Sequence, residues 1–264
     1  MSSTRSPCPK EPAISPGPVR PGLLLAGHGA PRQPAAQAAV EAQATTLRRS
    51  RAYKEVACAF LSMPPGPAEV LAGFRSETVC VVPLFLSDGY FVRVALARAL
   101  AAAAWPGRCL RQAVPVGLRR EMTDLVARRA TEACIRGGLT PSHCGLLLVA
   151  HGSARGSPAS RQAAQAHVRV LASAACFAWV DAAFLEEPPG IIDRLAARAG
   201  DMVVIGLFAA PGSHAAEDVP QALAADPHRG ERHVLYSGAI GTDPGMAGVI
   251  AAAACAALAP DRDA

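Results

Sequence analysis

The sequence predicts an α/β protein built from two tandem, duplicated, doubly wound (flavodoxin-like) parallel-sheet domains facing each other across a central cleft. Three observations lead there: an internal repeat over most of the chain, short apolar runs at matched places in both copies, and helix-length alanine- and arginine-rich stretches between the runs. Residues 22–32 read GLLLAGHGAPR and residues 145–155 read GLLLVAHGSAR, identical at seven of eleven positions with an offset of 123. Residues 56–66, VACAFLSMPPG, answer residues 180–190, VDAAFLEEPPG, again at seven of eleven positions and at an offset of 124. VCVVPLFLSDG from Val79 then answers MVVIGLFAAPG from Met202, with the offset back at 123. Three matches in one order at nearly one offset mark a duplication. The turn-rich segment 137–144 (Gly-Gly-Leu-Thr-Pro-Ser-His-Cys) joins the copies. The expected division is a disordered leader over 1–21, a first repeat over 22–140 and a second over 141–264.

Each strand follows from an apolar run too short for a helix and bounded by small or polar residues. In the first copy these are 23–26, 56–61 and 79–84; in the second, 146–149, 180–185 and 203–207. Continuous apolar runs flanked by helices are the pattern of parallel strands covered on both faces. A fourth strand is expected at 109–116 and again at 233–239, each followed by a glycine-containing turn and a final helix.

Composition narrows the function. The chain has 264 residues, 51% hydrophobic and 18% charged, enough for one large domain or two small ones. No stretch reaches the roughly 18 uncharged apolar residues of a membrane-spanning helix. Lys10 and Lys54 are the only lysines, so 24 of the 26 basic residues are arginine. A phosphate-binding loop needs a lysine after a glycine-rich turn, and neither lysine has one, which removes a phosphate-loop ATPase. The arginines are scattered and the net charge is only +5, which argues against nucleic acid. The arginine excess has two readings: genomic base composition, or an anionic small molecule held by guanidinium groups. The eight cysteines form no C-x-x-C pair and most lie in apolar runs. They read as buried free thiols in a reducing compartment. The first twenty residues have no apolar core, so they read as a leader rather than an export signal, and a cytoplasmic location is expected.

In open parallel sheets, ligands bind beyond the carboxyl ends of the strands. His151 follows the first strand of the second copy, Glu186 the second, and His214 lies just past the third. With the first strand central, these ends are neighbours about 4.8 Å apart. Two imidazoles and a carboxylate with open positions suit a divalent transition metal that exchanges its other ligands. The first copy has His28, Ser62 and Phe91 at the same places, so the site is expected in the second half. Blander readings stand beside this one. Each His-Gly is also what a tight strand-to-helix turn looks like, and Glu217 and Asp218 read as helix-start carboxylates. His143, His167, His228 and His233, unmatched in the repeat, read as surface or strand-edge histidines. Gly27 and Ala150 precede the two matched histidines where a histidine phosphatase needs arginine, and no G-x-S-x-G elbow occurs.

The segments LLLVAHGSARG, AAFLEEPPG, IGLFAAPGSHAAEDVP and YSGAIGTDPGM, in this order, resemble the sirohydrochlorin chelatase family. These are ATP-independent class II chelatases, including the cobaltochelatase of cobalamin biosynthesis and the siroheme ferrochelatase. The first copy repeats the pattern as LLLAGHGAPR, VACAFLS and VPLFLSDG, so the likeness runs from residue 22 to about 250. The resemblance implies insertion of Co²⁺ or Fe²⁺, as substrate, into sirohydrochlorin without a nucleotide. By similarity, His151, Glu186 and His214 match metal-binding and proton-accepting positions, with His28 able to contribute from across the cleft. Sirohydrochlorin is an anionic polycarboxylate, which makes Arg155, then Arg32 and Arg93, candidate partners. Phe91, with Tyr90, would form an apolar wall against the macrocycle. Long family members often carry the ligand set in the first half, whereas here that half has Ser62 and Phe91. The alternative reading is a carrier of tetrapyrrole or metal that kept the cleft and lost turnover; a subunit with a closed cleft is a third. The expected partners are the macrocycle alone, with no nucleic acid and no membrane, in a monomer or homodimer.

Overall fold

A computed structural model describes residues 20–103 and 107–260; nearly all of the expected leader, and the last four residues, lie outside the described residues. The first half runs β1 (Gly22–Gly27), α1 (Pro34–Arg49), β2 (Glu55–Phe60), α2 (Pro67–Gly73), β3 (Thr78–Pro83), α3 (Ala97–Ala101), β4 (Cys109–Gln112) and α4 (Arg120–Arg136). The second repeats it as β5 (Gly145–Ala150), α5 (Ala159–Ser173), β6 (Trp179–Phe184), α6 (Ile191–Ala197), β7 (Met202–Gly206), α7 (Val219–Ala224), β8 (Val234–Ala239) and α8 (Met246–Leu258). Two four-stranded sheets result, ordered β2-β1-β3-β4 and β6-β5-β7-β8, parallel throughout. The protein is therefore α/β with two doubly wound sheets. β1 and β5 are central in their sheets and buried at every residue, which is why they are apolar without alternation. α1 starts on Pro34, whose fixed φ and missing N–H suit a first helical position, and buries Ala36, Val40, Ala44 and Leu47 along one stripe.

Two expectations need correction. The fourth strand of the first half stops at Gln112 rather than 116, because it is an exposed edge and the chain leaves it for a tight helical turn at Val116–Leu118. The thiols divide by that same exposure. Cys58, Cys80, Cys134 and Cys144 are buried, whereas Cys109 on the edge strand, Cys176 and Cys255 are exposed.

The last helix of each half lies on the sheet of the other. α4 packs against β7, β8 and α5; α8 packs against β3, β4 and α1; and the two helices touch each other. The largest core cluster consequently runs through both halves, from Leu25 and Val82 through Met122 and Val126 to Leu148, Ile205 and Ile250. Polar contacts fix the exchange. Arg129 of α4 donates to the Ser237 hydroxyl (2.9 Å) and to the Ala239 carbonyl (3.2 Å) on β8. Arg128 donates to the buried Asp243 carboxylate at 2.8 Å. Gln43 of α1 reaches across to the Asp243 carbonyl at 3.1 Å.

His167 of α5 makes the matching contact in the opposite direction, and it is not a surface residue. It is buried, with Nε2 2.8 Å from the Gly117 carbonyl and Nδ1 2.7 Å from the Thr123 hydroxyl, both in the first half. A carbonyl only accepts, so Nε2–H donates and Nδ1 accepts from Thr123: the neutral ring is fully satisfied. Burial pushes the imidazole below its ordinary value of 6.5, only partly opposed by the Gly117 carbonyl. The unfolded chain then takes up a proton at a higher pH than the folded one. This stabilisation is whole above pH 6.5 and is lost as pH falls from 6.5 toward the lowered folded value. His167→Gln, which copies the donor chemistry of Gln43, should flatten the fall in melting temperature between about pH 7 and about pH 5. An unchanged slope in thermal melts would show that His167 carries no such coupling.

Candidate functional site

Backbone contacts at the carboxyl ends of the strands bring the same positions together in each half. Past β5 the chain turns at His151-Gly152. Gly152 takes a left-handed φ of +75°, and a Cβ there would come within 2.8 Å of Glu187 Cγ, so only glycine fits. The Glu186 N–H donates to the His151 carbonyl at 3.0 Å, as Ser62 does to His28 at 2.9 Å in the first half. Past β7 and β3 lie widened, π-helical turns, His214–Asp218 and Phe91–Leu96. Each begins on the residue that meets the histidine. His151 and His214 have ring centroids 4.8 Å apart, and His28 and Phe91 4.4 Å apart. Phe91 occupies the place of His214.

The titratable groups form two adjoining pairs. His151 Nδ1 is 3.5 Å from Glu186 Oε2, beyond a good hydrogen bond, and that oxygen accepts from the Ala154 N–H at 3.2 Å. His214 Nδ1 is 2.6 Å from Asp218 Oδ2, a strong contact one helical turn along. Asp218 is thus not merely a helix-start carboxylate: a carboxylate oxygen at this distance favours the neutral tautomer with the proton on Nδ1 and the lone pair on Nε2. The His-x-x-x-Asp spacing was the available signal, since residues four apart share a helix face. Among the described residues no three His, Cys, Asp or Glu side chains converge in metal-holding geometry, so His151, Glu186 and His214 adjoin without forming a closed ligand set.

A cavity of about 470 Å³ opens between the halves, lined by His28, Phe85, Tyr90 and Phe91 from one and His151 and Phe208 from the other. Its walls are mainly apolar, with Gln33, Gln37 and several serines among them, and burial pushes His28 below its ordinary 6.5, which favours the neutral imidazole at pH 7. Glu186 and His214 flank His151 without lining the cavity. None of the three arginines lines it either. Arg32 and Arg155 are exposed on turns whose neighbours Gln33 and Ser153 do line it, placing both at the rim. Arg93 is paired with Asp88 at 2.9 Å, which offsets its charge.

Sequence reasoning missed two supports. Gly117 and Gly241 donate to the Phe85 and Phe208 carbonyls, both at 3.0 Å, and a Cβ on Gly241 would fall 1.9 Å from the Ala209 oxygen. The loop bearing Glu186 is clamped by Arg161, which donates to Glu187 Oε2 at 2.7 Å, bonds the Pro188 carbonyl and lies 4.5 Å over the Phe184 ring. Glu187 Oε1 is buried without a hydrogen-bond partner among the described residues. In the first half Met63 packs against Gly29 where Glu187 packs against Gly152. The second half alone has a carboxylate there.

Fold and site together define a two-lobed α/β protein with a histidine-bearing, mainly apolar cleft between duplicated lobes. The CbiX family model matches residues 22–133 and 145–257, and the chain belongs to the CbiX family, once in each half. A Halobacterium salinarum protein named probable sirohydrochlorin cobaltochelatase is 30% identical over 278 aligned residues, covering 92% of this chain and 93% of that protein. A multi-domain Deinococcus radiodurans protein with structural similarity to chelatases superposes with a TM-score of 0.79 at 28% identity. That match covers 92% of this chain but 56% of the other, so this chain spans little more than half of that protein's length. The CbiX named as the terminal enzyme of siroheme biosynthesis in denitrifying bacteria superposes at 0.71 with 27% identity, over 91% of this chain and 100% of its own. The family resemblance read in the motifs is correct.

The Asp218 contact predicts a tautomer. In ¹⁵N NMR spectra at neutral pH, His214 should show a protonated Nδ1 and a bare Nε2. Asp218→Ala should shift it toward the Nε2–H form that free imidazole favours, and an unchanged spectrum would remove Asp218 from this role.

Proposed function

We propose that the protein inserts a divalent transition metal, Co²⁺ or Fe²⁺, into sirohydrochlorin without nucleotide hydrolysis. The observation behind this reading is the His151–His214 pair, rings 4.8 Å apart, each with its own carboxylate, beside an apolar cleft spanning both halves. The name of the Halobacterium relative favours the same reaction.

Insertion forms metal–nitrogen bonds and releases the two pyrrole N–H protons. The residues divide that work. His214 offers an Nε2 lone pair aimed by Asp218, suited to hold the incoming ion; His151 and Glu186 accept the leaving protons, which pass from a half-exposed carboxylate to solvent. A substrate metal must leave, so two loosely adjoining pairs suit the task better than a closed four-ligand cage. Imidazole and carboxylate donors suit cobalt and iron alike, so supply and geometry set the choice between them. Arg155 and Arg32, at the rim, would meet the peripheral carboxylates while the apolar cavity takes the ring. Arg93, already paired with Asp88, is the weakest of the three candidates.

The open ligand set also supports a second reading, a carrier that binds tetrapyrrole or metal without turnover. One assay separates them: purified protein, sirohydrochlorin and Co²⁺ or Fe²⁺ under anaerobic conditions, followed by absorption. An enzyme outpaces the protein-free reaction; a carrier binds and does not. His151→Ala and His214→Ala should each lower the rate by about 100-fold or more, and His28→Ala by less than about 10-fold. An equal loss from His28→Ala would move the site to the first half.

A further inference from the structure

The two lobes differ around the one cavity. On the second, His151 lines it and meets edge-on a His214 that does not. On the first, the equivalent contact is His28 against Phe91, and the aromatic surface continues from there. Phe85 lies nearly parallel to Phe91 with centroids 6.2 Å apart, and Tyr90 stands edge-on to it at 5.6 Å. These rings are not withdrawn into a core: Phe91 is 43% exposed and Tyr90 63% exposed, and all three line the cavity. Large aromatic groups left open beside an apolar cavity mark a surface for a flat partner.

We infer that the first lobe is a stacking platform: one face of the macrocycle lies on the Phe91 surface, and metal reaches the ring only from the His151–His214 side. This rests on the chelatase reading above and names how that site holds its substrate. The backbone at Phe91 and His214 is the same π-helical turn, so exchanging one side chain converts a donor into an apolar plane. Stacking on that plane would shield one ring face from metal. It would also orient the inner nitrogens toward the opposite lobe, where the two carboxylate-paired imidazoles stand. The duplication would thus have been used asymmetrically, with one copy for the ring and the other for the ion and protons.

The test separates ring binding from insertion. Metal-free sirohydrochlorin is titrated anaerobically into wild type, Phe91→Ala, Phe91→Leu and Phe91→Trp, following its fluorescence, while Co²⁺ binding is measured in parallel without macrocycle. Phe91→Ala and Phe91→Leu, the latter keeping apolar bulk without a flat ring, should each weaken macrocycle binding roughly tenfold. Phe91→Trp should retain it, and Co²⁺ affinity should be unchanged in all three. Wild-type macrocycle affinity in the Ala and Leu variants overturns the platform while leaving the chelatase reading intact, as does a parallel loss of Co²⁺ affinity. Wild type failing to bind sirohydrochlorin overturns both.

Discussion

Covering two small parallel sheets is the constraint on which the rest of this molecule depends. A doubly wound sheet must bury both faces, and each four-stranded sheet here completes one face with the other half's last helix. α4 and α8 are thereby removed from their own sheets and spent on the partner's. The halves share one core, and neither is covered without the other. The cleft is a consequence. Because α4 and α8 hold the sheets together, the carboxyl ends of β1 and β5 open toward the same space, and His28 and His151 come to line a single cavity.

That cross-packing leaves the duplicated backbone rigid and the side chains free to differ. The same N–H···O contacts aim residue 62 at His28 and residue 186 at His151, and the same π-helical turns aim Phe91 and His214. The first half has Ser62 and Phe91 where the second has Glu186 and His214, on the same frames. The difference extends beyond the groups nearest the cleft. Where the second half clamps its loop with Arg161–Glu187, the first has Met63, and where His214 has Asp218, Phe91 has Ala95 four residues on.

Much of the fold was legible because parallel strands announce themselves as uninterrupted apolar runs, and a repeat displays them twice. The first three strands of each half lie where the runs 23–26, 56–61, 79–84 and their twins place them. The edge strand 109–112 is shorter than its pattern suggests, because the apolar residues Ala113, Val114 and Val116 continue past its end. Helix exchange was not legible: α4 and α8 are apolar in the same way whichever sheet they cover. His167 illustrates the limit. Its burial comes from the opposite half, through Gly117 and Thr123, and no local pattern reports a contact across 50 residues. At the candidate site, the residues that follow strand ends could be named. The spacing of His214 and Asp218 hinted at their pairing, but the widened turn that brings His214 against His151 leaves no mark in composition.

The places of three of the arginines acquire a physical sense from the cavity wall. A guanidinium inside an apolar cleft would need a buried partner to offset its desolvation, and none of Arg32, Arg93 and Arg155 lines the cavity. At the rim Arg32 and Arg155 stay hydrated, and under the function proposed above a polycarboxylate substrate would meet them without being stripped of water itself. For the chelatase proposed above, a mainly apolar interior with a cationic rim would sort an amphipathic disc by its parts, ring inward and carboxylates outward. It would also keep positive charge away from the point where a divalent cation arrives. A cleft lined by those arginines would hold the anion more tightly and repel the ion that has to join it.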